Sequence, residues 1–417
     1  MVPRRVPADE QQWIAYKRPR WKSLLAQLIL LRGATQLLTL RGPRAVRRGA
    51  AVHDLGIIED GSVLIRDGII AAVGSTRRIE NLKEARAALE IPVNGKVVMP
   101  GFIDPSVNLS LNQGSGCARQ SNKRHRLTEF YDQSLGLMRS CLQHGTLTAG
   151  VKAIADAGDF RSGIAVLRQL AKIGSNPVDM VRTWRIDSAP SPESFSLSDF
   201  REALAALAKR KLAHSVEVGI GFEPEASEPL LAAAKEAHLE IGLLWREGSP
   251  EVLASLLSRF KPRTVCCPAR LTAAECLALA NSPSIAVFAP AREVFDEPGA
   301  SCARQLGDSG GAIAISTEYD ARYAASSSMQ MVLSLAVMRL GLTPEEAITA
   351  ATINAAYAAG CGDVTGSLES EKRADVLVLN APDYREVSRR FGINHVDVAI
   401  RGGSVVFNRT RWKASAP

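Results

Sequence analysis

Between residues 101 and 317 the chain repeats one pattern: a short apolar stretch, an Ala- and Leu-rich run of helical character, then another apolar stretch. Eight such stretches can be marked, at 101–103, 146–154, 178–186, 215–222, 239–245, 263–268, 284–290 and 311–317. Strands separated by helices pair in parallel, because each crossover returns the chain to the end from which it left. Eight parallel strands in a region of roughly 250 residues predict a closed (β/α)8 TIM-like barrel, an α/β fold. LLAAAKEAH (230–238) and PEVLASLLSRF (250–260) are two of the intervening helices.

The two ends of the chain resemble each other more than either resembles the middle. Residues 25–97 read as short strands, and in GSVLIRDGIIAAVG (61–74) two apolar runs meet at Asp67-Gly68, a pair that supplies the positive φ angles of a tight hairpin turn. ADVLVLNA (374–381) and VDVAIRGGSVVFN (396–408) return to strand alternation, with Gly402-Gly403 as a second hairpin turn. Between them LTPEEAITAATINAAYAAG predicts one helix: Thr343 is the N-cap, Pro344 suits the first helical position, Glu346 completes a capping box and Gly360 is the stop. The expected organisation is a basic N-terminal arm (1–24), a small composite β-sandwich domain from both ends (25–97 and 366–412), and the barrel (98–365).

Composition narrows the class. Of 417 residues 23% are charged and 46% hydrophobic, the profile of a soluble globular protein. The net charge of +8 sits in the first 50 residues, which hold eleven Lys or Arg against Asp9 and Glu10. No aromatic-rich nucleic-acid module or Cys/His finger accompanies that arm, so nucleic acid is not an expected partner. LLAQLILL (24–31) is too short to span a bilayer and lacks a cleavage site, so no membrane partner is expected either. Seven cysteines without a C-x-x-C pair fit a reducing, cytoplasmic compartment.

PGFIDPSVNL (100–109), GTLTAGVK (145–152) and SMQMVLSLAVMRLGLTPEEAITAATINAA at these places resemble the amidohydrolase superfamily. GSLESEKRADVLVLNAPDYREVSRRFGINHVDVAIRGGSVV is more specific, and its DYR…FGxN element (383–394) resembles the imidazolonepropionases of histidine catabolism. The resemblance implies hydrolysis of a C–N bond in the five-membered ring of imidazolone-propanoate, with one zinc or iron ion at the C-terminal ends of the strands.

At that mouth the residues depart from the family's pattern. The two histidines after the first strand are replaced by Ser106 and Asn108, and the histidine after the fifth by Leu244. The histidine after the sixth strand falls on Cys267, and the aspartate after the eighth on Glu318. The substrate-holding KSGYG reads KAIAD at 152–156, and the substrate-contacting histidine of A-H-A becomes Ser188. Serine and asparagine oxygens are poor zinc ligands, and leucine is none. None of the six histidines stands in an H-x-H or H-x-x-x-H pair.

These replacements predict a metal-free pseudoenzyme with no cofactor. It would keep its pocket for a small-molecule ligand and act as a homo-oligomer or by pairing with an active homologue. The alternative is an active hydrolase of cyclic C–N bonds with a rebuilt site, in which Glu247, Glu318 and Cys267 carry the chemistry and Asp104 and Asp320 face the same mouth.

Overall fold

The computed structural model describes residues 28–111, 123–155, 160–174, 177–187, 196–221, 224–246, 248–267, 271–292, 294, 302–321 and 325–409. The expected arm at 1–24 lies outside them. Near the N-terminus come β1 (Leu28–Leu38), β2 (Ile57–Arg66), β3 (Ile69–Ser75), β4 (Leu89–Pro92) and β5 (Val97–Pro100). The barrel strands follow: β6 (Phe102–Leu109), β7 (Thr146–Ile154), β8 (Asp179–Ile186), β9 (Ser215–Ile220), β10 (Glu240–Trp245), β11 (Thr264–Cys266), β12 (Ile285–Phe288) and β13 (Ala312–Ile315). The chain closes with β14 (Val376–Leu379), β15 (Val396–Arg401) and β16 (Ser404–Asn408).

Strands from both ends form one mixed sheet in the order β16-β15-β14-β5-β1-β2-β3, with β4 paired to β1. Both expected hairpins are present, and their turn residues have the left-handed backbone such turns need: φ is 50° at Asp67, 85° at Gly68, 52° at Gly402 and 74° at Gly403. The two turns also touch. A Cβ on Gly68 would stand 2.7 Å from the Gly402 carbonyl oxygen, so only glycine lets the backbones meet. The sheet thereby brings its two ends together around one core that includes Ile65, Ile70, Val98, Val376 and Ile400.

The second sheet runs β6 to β13 in sequence order, every neighbouring pair parallel. It returns on itself where the Asn108 amide donates to the Tyr319 carbonyl at 3.1 Å, giving a nearly closed eight-stranded barrel. Alternation sorts its side chains. Leu147, Ala149, Val151 and Ala153 of β7 belong to the layer under the helices, while Ile103, Val181, Leu244, Cys266, Val287 and Ala314 form an interior cluster with Ala355 and Ala359.

The helix expected from Thr343 to Gly360 starts as predicted: the Thr343 hydroxyl accepts from the Glu346 amide, and Glu346 accepts from the Thr343 amide at 2.8 Å. It is broken, however, into Pro344–Ala351 and Ile353–Ala358. Thr352 stands at φ −125° and ψ −94°, and its hydroxyl donates back to the Ile348 carbonyl at 2.6 Å, the local competition that makes threonine a poor helix interior residue. The second piece turns toward the barrel axis, where Asn354 donates to the carbonyls of Ile313 and Arg47.

The DYR…FGxN element joins the sheet to the barrel. Gln330, on the helix Met329–Arg339, donates to the Asn394 side chain at 2.9 Å and to the His144 carbonyl at 3.1 Å, and accepts from the His395 amide at 2.8 Å. The Tyr384 hydroxyl donates to Glu345, and the Tyr384 amide to the Gln36 side chain of β1 at 2.9 Å.

Candidate functional site

Charged side chains sit inside this barrel: Lys152 and Glu217, the single charges of β7 and β9, and Arg185 of β8, a strand that also carries Asp179 and Arg182. Each of the three occupies an inward position of its strand, and each is buried. An ionised side chain in such a place must be paired, and these pair with one another and with the strand ends.

Arg185 is the hub. Its Nη1 donates to Asn108 Oδ1 at 2.9 Å and lies 3.4 Å from Glu318 Oε1, while its Nε donates to Asp187 Oδ1 at 2.7 Å and lies 3.4 Å from Glu217 Oε1. Burial disfavours the charged guanidinium, but the Glu217, Asp187 and Glu318 carboxylates more than offset it and raise its pKa. Glu318 is buried just past the end of β13 and is paired on its other oxygen with Arg292 at 3.0 Å. Arg185 and Arg292 outweigh burial there and keep the carboxyl below its usual range. Its φ of 40° is left-handed, an uncommon conformation for glutamate that the surrounding pairs must hold.

Next to it, Asp104 accepts from the Thr317 amide at 3.2 Å, from the Thr317 hydroxyl and from the Ser106 amide at 3.3 Å. It therefore ties the loop after β13 to β6. Burial pushes its carboxyl up to about 6, with the Thr317 and Ser106 hydrogen bonds pulling the other way. The Ser106 hydroxyl is buried and takes no hydrogen-bond partner among the described residues.

Deeper in the barrel Lys152 forms an ion pair with Glu217 and donates to Cys266 Sγ at 2.9 Å, and the Cys266 thiol donates to Glu217 at 3.3 Å. Burial disfavours the Lys152 ammonium, but Cys266 and Glu217 more than offset it and raise its pKa. Burial, reinforced by Glu217, pushes the Cys266 thiol up to about 12. A small cavity runs from Lys152 and Glu217 toward the N-terminal ends of the strands. Glu240 and Arg263, 2.8 Å apart, line its far end, where the Glu240 side chain is half exposed.

The expected site residues fall in different parts of the barrel. Ser106, Asn108 and Glu318 come together at the C-terminal mouth, and Leu244 faces the interior from β10, across the barrel from β6. Cys267 does not join them. It packs outward under the helices, its thiol donating to the Val265 carbonyl at 3.5 Å, and burial with neighbouring Cys266, Cys302 and Cys276 pushes its pKa well up. Cys266 takes the inward place, because side chains alternate along a strand and a one-residue slip exchanges the faces. Glu247 and Ser188 lie outside the described residues. Trp245 faces outward and donates to Glu275 at 2.8 Å, whereas Arg246 reaches Asp187 at 3.5 Å. Arg185, Glu217, Cys266 and Arg292 were not foreseen as site residues.

The zinc or iron that the resemblance implies does not fit these side chains. Leu244 offers hydrocarbon, Asn108 has its oxygen engaged by a guanidinium, and both Glu318 oxygens face arginines. Among the described residues no group of three or more His, Cys, Asp or Glu side chains is arranged to hold a metal ion.

A nearly closed parallel barrel carrying its polar residues at the C-terminal mouth, with a sheet built from both chain ends, is the architecture of the amidohydrolase superfamily. The amidohydrolase family signature matches residues 261–406. Guanine deaminase of E. coli superposes with a TM-score of 0.67 at 18% identity, over 92% of this chain and 99% of that one. An amidohydrolase from a Sargasso Sea environmental sample gives a TM-score of 0.70 at 16% identity over 91% and 93%. In sequence, the imidazolonepropionase of Brevibacillus brevis is 30% identical over 91% of this chain and 97% of its own, and that of Parabacteroides distasonis 30% identical over 90% and 98%. The chain belongs to the imidazolonepropionase family.

Proposed function

We propose that the protein is a non-hydrolytic member of its family, one that keeps the barrel mouth as a binding site for a small anionic ligand. The observation that carries this reading is the Arg185 guanidinium held between Asn108 and Glu318, at two positions where the family places metal ligands. A cation there stands where the Lewis acid would be, but an arginine cannot lower the pKa of a bound water to supply the hydroxide nucleophile. Arg246 and Arg292, half exposed at the rim, and the Ser106 hydroxyl, unpartnered among the described residues, supply groups for a polar ligand. The ligand class is a cyclic amide or imidazolone acid, related to the compound the relatives are named for, which would link the protein to histidine catabolism in the cytoplasm. Homo-oligomerisation, or pairing with an active homologue, would connect binding to an effect.

The competing reading is an active hydrolase of cyclic C–N bonds with a rebuilt site. It draws support from Asp104 and Glu318, two buried carboxyls whose surroundings drive their pKa values in opposite directions. Metal content and imidazolone-propanoate hydrolysis measured on one preparation separate the two. The expected result is substoichiometric zinc and iron and no turnover. Stoichiometric metal, or turnover abolished by Glu318→Gln or Glu247→Gln, overturns the proposal in favour of the rebuilt site.

A further inference from the structure

The geometry points to Lys152 and Cys266 as an oxidant-sensitive pair, joined by hydrogen peroxide into a covalent nitrogen–sulfur bridge. Three observations converge on it. The Lys152 nitrogen is 2.9 Å from the Cys266 sulfur, along a contact in which the ammonium donates to the thiol. Glu217 touches both groups, accepting from Lys152 and, at 3.3 Å, from the thiol, so a base for either proton is already in place. The cavity lined by Lys152 and Glu217 continues to the half-exposed Glu240, so it reaches Lys152 and Glu217, the two groups in contact with the Cys266 sulfur.

The chemistry closes on these atoms. As the sulfur attacks one oxygen of peroxide, the thiol proton passes to Glu217 in the same step and the O–O bond breaks. Hydroxide leaves, recovers the proton from Glu217 as water, and Cys266 is left as the sulfenic acid. The Lys152 ammonium then gives a proton to Glu217, and its nitrogen attacks the sulfur. An S–N bond forms, the S–O bond breaks, and the departing hydroxide takes a second proton from nitrogen to leave as water. In sum the sulfur is oxidised by two electrons, one peroxide is reduced to two waters, and Glu217 ends protonated. The bridge removes the Lys152 charge from the barrel, and thiols reverse it. This inference is independent of the ligand proposed for the mouth.

The test treats the full-length protein with hydrogen peroxide and digests it with trypsin for mass spectrometry, with and without dithiothreitol. The expected product is the Lys152 peptide joined to the Cys266 peptide, two hydrogens lighter than their sum, resistant to cleavage after Lys152 and separated again by dithiothreitol. In Lys152→Arg the joined species disappears and Cys266 stops at sulfenic acid or proceeds to sulfinic acid. Should that variant not fold, the mass of the wild-type product still decides. Cleavage after Lys152 unchanged by peroxide, or Cys266 oxidised to the sulfinic acid in the wild type with Lys152 free, overturns the inference.

Discussion

Arg185 Nη1 lies 2.9 Å from Asn108 Oδ1, a guanidinium meeting an amide where the fold otherwise brings an imidazole to a metal. The same arginine holds Glu217 and Glu318 in a water-poor interior. Arg185→Met leaves those carboxylates without their shared cation, and removing one partner of a buried ion pair costs about 3–5 kcal/mol. Urea denaturation of the variant is expected to show a loss of that size. Combining it with Glu318→Gln should recover part of the loss, and strict additivity of the two changes would refute the coupling.

Restoring histidines alone should not restore a metal centre. With Ser106→His, Asn108→His and Leu244→His together, Arg185 still projects its charge into the space between the strand ends. The purified triple variant is expected to hold well under one zinc per chain, and adding Arg185→Ala should raise zinc toward stoichiometry. Equal zinc in the two proteins would show that Arg185 is not the obstacle.

The pH dependence of stability carries the signature of Asp104. Its folded pKa of about 6 lies above the ordinary 3.8, so folding favours the protonated form. The contribution is complete below the ordinary value and is lost as pH rises through about 6. A shift of this size corresponds to a change on the order of 3 kcal/mol. His214 has the opposite sign: burial and Arg182 push its pKa down to about 4, so its contribution is present above 6.5 and is lost as pH falls through 4. Because the two groups titrate over the same range with opposite signs, they largely cancel between pH 4 and 6, and Asp104→Asn should unmask His214, so that the variant alone gains stability as pH rises from 4 to 6.5, as read by thermal unfolding across that range.

Gln330 joins the barrel to the DYR…FGxN element through three hydrogen bonds. Gln330→Ala leaves buried backbone and amide groups unpaired, at about 1–3 kcal/mol for such a group. A melting temperature lowered by several degrees is expected, with no change in ligand binding at the distant mouth. An unshifted melting temperature would mean that water replaces the side chain without loss.

The strands, both hairpins and the capping box could be read from the sequence because burial and turn geometry impose local rules on nearby residues. Helix 344–358 was read too long because Thr352 bends it through a bond to Ile348, a choice that depends on Asn354 reaching the barrel. Ser106, Asn108, Leu244 and Glu318 are marked by position along the strands, and of these Ser106, Asn108 and Glu318 lie together at the mouth. Cys267 was misplaced because β11 is only three residues long and offers too little alternation to fix which cysteine faces inward. Lys152 and Glu217 did leave a signal, each a lone charge in a strand otherwise suited to burial on both sides, whereas Arg185 shares β8 with Asp179 and Arg182 and does not stand out. Arg292 left none, since it follows β12 in irregular chain and its role depends on where Glu318 lies across the mouth.

The meeting of the Gly68 and Gly402–Gly403 turns also fixes an order of events during synthesis. A ribosome delivers β1 to β5 first, yet β5 must wait with one edge bare until β14, almost 280 residues later, has been made. The nascent chain therefore carries an unfinished sheet throughout translation of the barrel, and the last strands to emerge are the ones that seal the first.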